Sequence, residues 1–219
     1  MAKHYKGKTE LEERSVICEV RAVPDDERGA VITGRPIVYD STTDLGWFDE
    51  TIARGALDNT DLTDVRLLVN HDLSRIPLAR SRRNNGNSTM KLDVDENGMS
   101  ISAVLDTENN ADARALYSAV ERGDISGMSF MFGVRGEDWE ELDSDHPSRT
   151  ITDISTVVEV SAVTFPAYDA TEINARSKEA LENARRAVET ARAERSVEPV
   201  ETGADSNELE LLKAKINIM

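Results

Sequence analysis

The side chains of this sequence with the chemistry of nucleophilic and acid–base catalysis are scattered, and three of them stand in unusual company. Ser129 lies in Gly123–Gly133, GDISGMSFMFG, between Met128 and Phe130. A strand that merely filled a core has no use for a hydroxyl at that position, whereas a half-buried strand carries small polar residues on its outer face as a matter of course. His71 lies in VRLLVNHDLSRIPLAR, where an apolar strand ends and the chain leaves the sheet. Strand ends present functional side chains on a rigid support; a structural or exposed histidine is the plain alternative. Glu159 interrupts TVVEVSAVTF between Val158 and Val160. Either alternation turns it to water with both valines inward, or it is buried and partnered, because an unpaired buried charge is costly. A hydroxyl can attack a carbonyl, an imidazole can move a proton, and a carboxylate can hold an imidazole.

Other chemistries find little to work with. His4 falls in a charged N-terminus, and His146 in the loop composition DSDHPSRT. No second histidine lies near His71 and no cysteine pair exists, so the residues offer no metal-ligand spacing. GVRGED has neither the spacing nor the lysine of a phosphate loop. No cofactor and no metal are expected. The single cysteine, Cys18, excludes an internal disulfide, and in SVICEVRAV it reads as a small core hydrophobe.

The elements that would have to position these residues are mostly strands. SVICEVRAV alternates with period two, and GAVITGRPIVY resumes after the turn-forming PDDERG. VRLLVNHD follows, then TMKLDVDENGMSISAVLD, a hairpin turning at DENG. GMSFMFGV, WEEL, RTITDI and TVVEVSAVTFPAY complete the series. Two segments read as helical: a short one around ETIARGALDN, and NADARALYSAVERG, with Asn110 as cap, Leu116, Ala119 and Val120 on one face and Gly123 as stop. Past FPAYDATEI the pattern changes. Ala180, Leu181, Ala184, Ala187, Val188 and Ala191 recur at helical spacing, followed by the linker composition VEPVETGADSNE and a short amphipathic LELLKAKINIM. The expected organisation is a flexible N-terminus over 1–13, one β-rich domain over 14–175, and a helical and linker tail over 176–219. The expected fold class is mainly β with flanking helices (α+β), its antiparallel strands forming a closed or nearly closed barrel.

Composition sets the outer bounds. The chain has 219 residues, 39 % of them apolar and 31 % charged, with a formal net charge of −16. That sign argues against nucleic acid as a partner, since such affinity comes largely from Lys and Arg on phosphates. No run approaches the roughly 20 apolar residues of a membrane span, and MAKHYKGKTELEERS lacks the apolar core of a secretory signal. A reducing cytoplasm suits one cysteine.

Taken in order, LLVNHD with PLAR, GDISGMSFMF and VVEVSAVTFPAYDAT resemble the prohead serine proteases of tailed bacteriophages, capsid-maturation enzymes related in fold to the herpesvirus assemblin. Phe48 to Leu57, FDETIARGAL, is similar to the family's segment upstream of its histidine, and the likeness runs from about Arg14 to about Arg176. The resemblance implies Ser129 as nucleophile, His71 as general base and acid, and Glu159 as the residue that orients the histidine, where the herpesvirus relatives carry a second histidine. It implies no cofactor. It also implies cleavage of scaffold, or of the scaffolding part of the major capsid protein, together with self-cleavage, inside the immature capsid in the host cytoplasm. The herpesvirus relatives work as dimers, so a homodimer is among the implied states. The sequence departs from the family pattern at Ala79, where a glycine is expected, and the tail after Arg176 is not covered. The oxyanion donor is open between Arg80, Arg82 and a backbone N–H. Ser126 is expected on the opposite side of its strand from Ser129, Ser161 on the same face as Glu159, and Asp72 pointing away from the site. The competing reading is a capsid-assembly or scaffolding protein of the same fold without catalysis.

Overall fold

The computed structural model describes residues 11–17, 20–25, 29–164 and 177–197. Cys18, His4, FPAYDATEI and the terminal LELLKAKINIM lie outside them.

The longest strands form the centre. β10 (Gly127–Glu140) and β11 (Ser148–Val163) pair antiparallel along their length, so GMSFMFGV with WEEL, and RTITDI with TVVEVSAV, are two continuous strands rather than four. β1 (Leu11–Ile17) pairs antiparallel with the outer side of β10. The far side of β11 takes two short parallel partners, β5 (Asp49–Ile52) near its start and β6 (Val65–Val69) near its end. β4 (Thr42–Asp44) and β7 (Ala79–Ser81) extend β5 and β6 respectively. A second sheet runs in the order β2 (Arg21–Asp25), β3 (Gly29–Val38), β9 (Gly98–Leu105), β8 (Met90–Asp95). The run SVICEVRAV therefore does not stay in one sheet: its first part is β1 and its last part β2, so the N-terminal chain crosses from one layer to the other. No ladder among the described residues joins the two sheets, and the closure expected of a barrel is not seen there.

One main core lies between these layers. Met128, Phe130 and Phe132 alternate onto the inner face of β10, Val160 and Ala162 do the same on β11, and all are buried. They meet Ile32, Ile37, Met99, Ile101 and Ala103 of the second sheet, and Leu116 and Val120 of α1 (Ala111–Glu121). Each such side chain contributes roughly 1.5–3 kcal/mol by leaving water. Alternation then directs Ser129 and Met131 to the opposite face of β10, away from this core. The α1 boundaries follow the sequence signals: the Asn110 side chain accepts from the backbone N–H of Asp112 and Ala113, and Gly123 follows at φ 78°.

One expectation is corrected. ETIARGALDN is not helical: its first residues are β5, and the rest is a series of turns in which Ala56, Asp58 and Thr60 donate to the carbonyls three residues back. Pairing of β5 with β11 captures the β-branched Thr51 and Ile52, and Gly55 at φ 87° breaks any helix there. The helix of the C-terminal region, α2 (Ser177–Val197), packs on the body. Its Ala184 and Val188 are buried with Phe48 and Leu142 in a second, smaller cluster, with Trp139 beside them. Arg192 of α2 donates to the carbonyls of Leu142 and Ser144, both at 2.8 Å. No described helix is long and apolar enough to cross a membrane.

Candidate active site

Three adjacent strands deliver the three side chains. Ser129 on β10 stands opposite Ser161 on β11, and Ser161 stands opposite Leu68 on β6, three residues before His71. Glu159 lies two residues from Ser161 and therefore on the same face. At the end of β6 the chain turns through Asn70 and His71, both with positive φ (51° and 56°). Asparagine and histidine are among the residues enriched in this left-handed conformation, and it carries the imidazole back over the sheet. His71 Nε2 comes to 2.5 Å from Ser129 Oγ, and His71 Nδ1 to 2.5 Å from Glu159 Oε1. A hydroxyl, an imidazole and a carboxylate thus form one hydrogen-bonded chain, the geometry by which acyl-transfer triads are recognised whatever their order in sequence.

The carboxylate is fully buried and well partnered. Ser161 Oγ donates to Glu159 Oε2 at 2.7 Å, while the same oxygen accepts from the His71 backbone N–H at 3.0 Å. Ser161 therefore fixes both the carboxylate and the backbone that carries the ring. The turn itself is clamped by Asn70, whose side chain donates to Thr164 Oγ1 at 3.1 Å and accepts from the Thr164 N–H at 3.0 Å. Alternation continued from the core-facing Val157 would have put Glu159 on the core side. A bulge at Val158 resets the register, since Met131 pairs with Glu159 but Phe132 pairs with Val157. Upstream of it Val157 faces the core, and downstream both Glu159 and Val160 are buried, on opposite faces.

Burial of His71 disfavours its charged form, but the hydrogen bond and the charge of Glu159, with a further contribution from Glu13, outweigh it and hold its pKa above the ordinary value. The ring keeps 16 % of its side-chain surface in water. Ser129 is fully buried and makes a second contact: its hydroxyl donates to the backbone carbonyl of Arg14, on β1, at 2.8 Å.

The remaining candidates go elsewhere. Ser126 is exposed just before β10 begins. Asp72 is exposed and accepts from the N–H and hydroxyl of Ser74. The Arg80 guanidinium is paired with Asp64 at 2.5 Å, and Arg82 donates to the Asn87 carbonyl at 3.5 Å. Ala79 is buried in β7, opposite Leu67. His146 bonds Asp49 at 3.2 Å on the surface, with Asp44 close by. What the sequence reading missed is the role of Asn70, whose signal was its place beside the histidine at a strand end, and of Arg14. Arg14, Arg149, Glu12 and Glu50 form a buried ion cluster, with Glu137 on Arg149. Glu12 and Arg14 apart, these residues lie far from one another in the chain, and no local pattern marks them.

No curated protein gives a significant match to the sequence. Among solved structures, the bacteriophage T4 capsid assembly protease, gp21, is similar at 11 % identity over 69 % of this chain and 98 % of its own, with a TM-score of 0.33. The family model described as caudovirus prohead serine protease matches residues 18–186, a span that contains Ser129, His71 and Glu159. The chain belongs to the caudovirus prohead serine protease family.

Proposed function

We propose that this chain is an active serine endopeptidase of capsid maturation in which Ser129 is the nucleophile, His71 the general base and acid, and Glu159 the group that orients the imidazole. The observation that carries the reading is the unbroken contact chain from Ser129 Oγ through both ring nitrogens to the buried Glu159 carboxylate. Ser129 Oγ attacks the carbonyl carbon of a peptide bond as His71 Nε2 takes its proton, giving an acyl-enzyme once the proton passes to the leaving amine. Water then repeats the sequence and releases the acid. Glu159 keeps Nδ1 protonated and stabilises the imidazolium without itself taking up the proton.

Membership of the family supports scaffold, or the scaffolding part of the major capsid protein, as substrate, acted on inside the immature capsid in the host cytoplasm. Self-cleavage, with the 176–219 region as docking or removed segment, belongs to the same proposal. Purified protein followed on a gel, with mass spectrometry of the products formed from the cognate capsid protein, tests it. Self-truncation and capsid-protein cleavage that vanish in Ser129→Ala support the protease; a wild type that stays intact and cleaves nothing rejects it. One observation favours the alternative, a scaffolding protein without catalysis: Ser129 is wholly enclosed.

A further inference from the structure

The enclosure of Ser129 has a specific agent. Ser129 is flanked by Ser161 on β11, which lies inside the sheet, and by Ser15 on β1, which lies at its edge. Among the described residues, the peptide carbonyl brought against the hydroxyl is that of Arg14, on the same edge strand. A peptide attacked by Ser129 must present a carbonyl to Oγ at about 3–3.5 Å, and an extended chain paired on the exposed side of β10 does so. That lane is filled by residues 11–17.

The contact as it stands is unproductive. The hydroxyl hydrogen is directed at the Arg14 carbonyl oxygen, whereas attack needs an oxygen lone pair on the carbonyl carbon. A hydroxyl has a single hydrogen to give. Given to Arg14, it leaves Nε2 of His71 as the donor toward Oγ, and with Nδ1–H directed at Glu159 the ring is then an imidazolium, which cannot act as base. Arg14 O and His71 Nε2 thus compete for one proton.

We propose that β1 is an autoinhibitory strand lying in the lane on β10 that substrate backbone occupies, and that Ser129 becomes competent when a substrate strand displaces it. This rests on Ser129 being the nucleophile. Removing an edge strand breaks one ladder and leaves the sheet interior intact, and strand addition to an exposed edge is a recurrent mode of peptide recognition. The latch is the ion cluster: Arg14 donates to both oxygens of Glu50, at 2.5 and 2.8 Å, and Arg149 binds Glu12 with two nitrogens, each at 2.8 Å.

The test is the rate at which a fluorophosphonate probe labels Ser129 in the full chain, with Ser129→Ala as blank. Replacing Arg14→Gln and Glu50→Gln together loosens β1 and removes one charge of each sign. Leu11→Cys with Gly133→Cys, in a Cys18→Ser background, cross-links β1 to β10 at a register pair four residues from the nucleophile; facing residues of antiparallel strands lie within disulfide reach. The loosened variant is expected to label at least about tenfold faster than wild type, and the oxidised lock at least about tenfold slower than the same protein after reduction. Equal labelling of oxidised and reduced lock overturns the inhibitory strand and leaves the protease reading standing. A new N-terminus at Ser15 in the wild type also overturns it, since β1 would then be a substrate. Failure of every folded form, loosened or reduced, to label overturns the protease reading and this inference with it.

Discussion

On the proposed assignment, protonation of His71 decides when Ser129 has a base. The ring must be neutral to accept the hydroxyl proton, and Glu159 raises its pKa, so the rate of Ser129 labelling should climb with pH through a midpoint above the ordinary histidine value of about 6.5. Glu159→Gln withdraws the charge that holds the proton. Its midpoint should fall and its limiting rate drop by on the order of 10²–10⁴; a midpoint unmoved or raised would separate Glu159 from the titration. The same linkage has a stability side: the ion pair's stabilisation is complete below the unfolded-state pKa and is lost as pH rises through the raised folded one. Asn70 acts one residue away. Asn70→Ala removes the clamp on Thr164 and places a residue less suited to positive φ in the turn, so turnover should fall roughly tenfold or more from a misplaced imidazole. Asn70→Gly relieves the backbone but not the clamp, and measured rates of the two variants separate these effects.

At the scale of elements, single irregularities decide the outcome. The bulge at Val158 is what sets Glu159 on the face of Ser129 and Ser161 while both Val157 and Val160 face the core. The break between β1 and β2 sends the first strand to the sheet that carries Ser129. What keeps β1 there includes Glu12. Burial works against its carboxylate, but hydrogen bonds and charge from Arg149 and Arg14 win and lower its pKa to about 2. Its stabilisation is therefore present above the ordinary carboxylate value and lost as pH falls toward 2, a difference of about 3 kcal/mol across that window. Acid titration monitored by circular dichroism should show wild type losing stability steeply below pH ~4.5, while Glu12→Gln, already weaker at neutral pH, changes less. Parallel acid profiles would remove Glu12 from the latch.

On the scale of the whole molecule, the two layers and the docked helix set separate tolerances. Gly98 opens β9 at φ 130°, and a Cβ there would lie 2.0 Å from the Ile37 carbonyl oxygen. Gly98→Ala should cost at least about 3 kcal/mol of global stability by chemical denaturation, because backbone, not a flexible side chain, is in the way. α2 rests on a smaller cluster. Val188→Asp places a charge against Phe48 and Leu142 and should undock the helix, shifting Trp139 fluorescence to the red while the main unfolding transition moves little. A loss of the entire fold instead would mean that α2 is integral to the body.

By itself the sequence determined the predominance of strands, the cap and stop of α1, the hairpin at DENG, and three candidate side chains whose local settings were odd. Those are short-range properties: alternation, capping and turn chemistry act within a few residues. Tertiary structure alone decided that Glu159 is buried, that the histidine's own backbone takes a left-handed turn braced by Asn70, and that Arg14 and Arg149 meet the carboxylates of Glu12, Glu50 and Glu137 from three different strands. Burial, register and charge pairing across strands depend on which strands become neighbours, and a strand's own sequence is compatible with several partners.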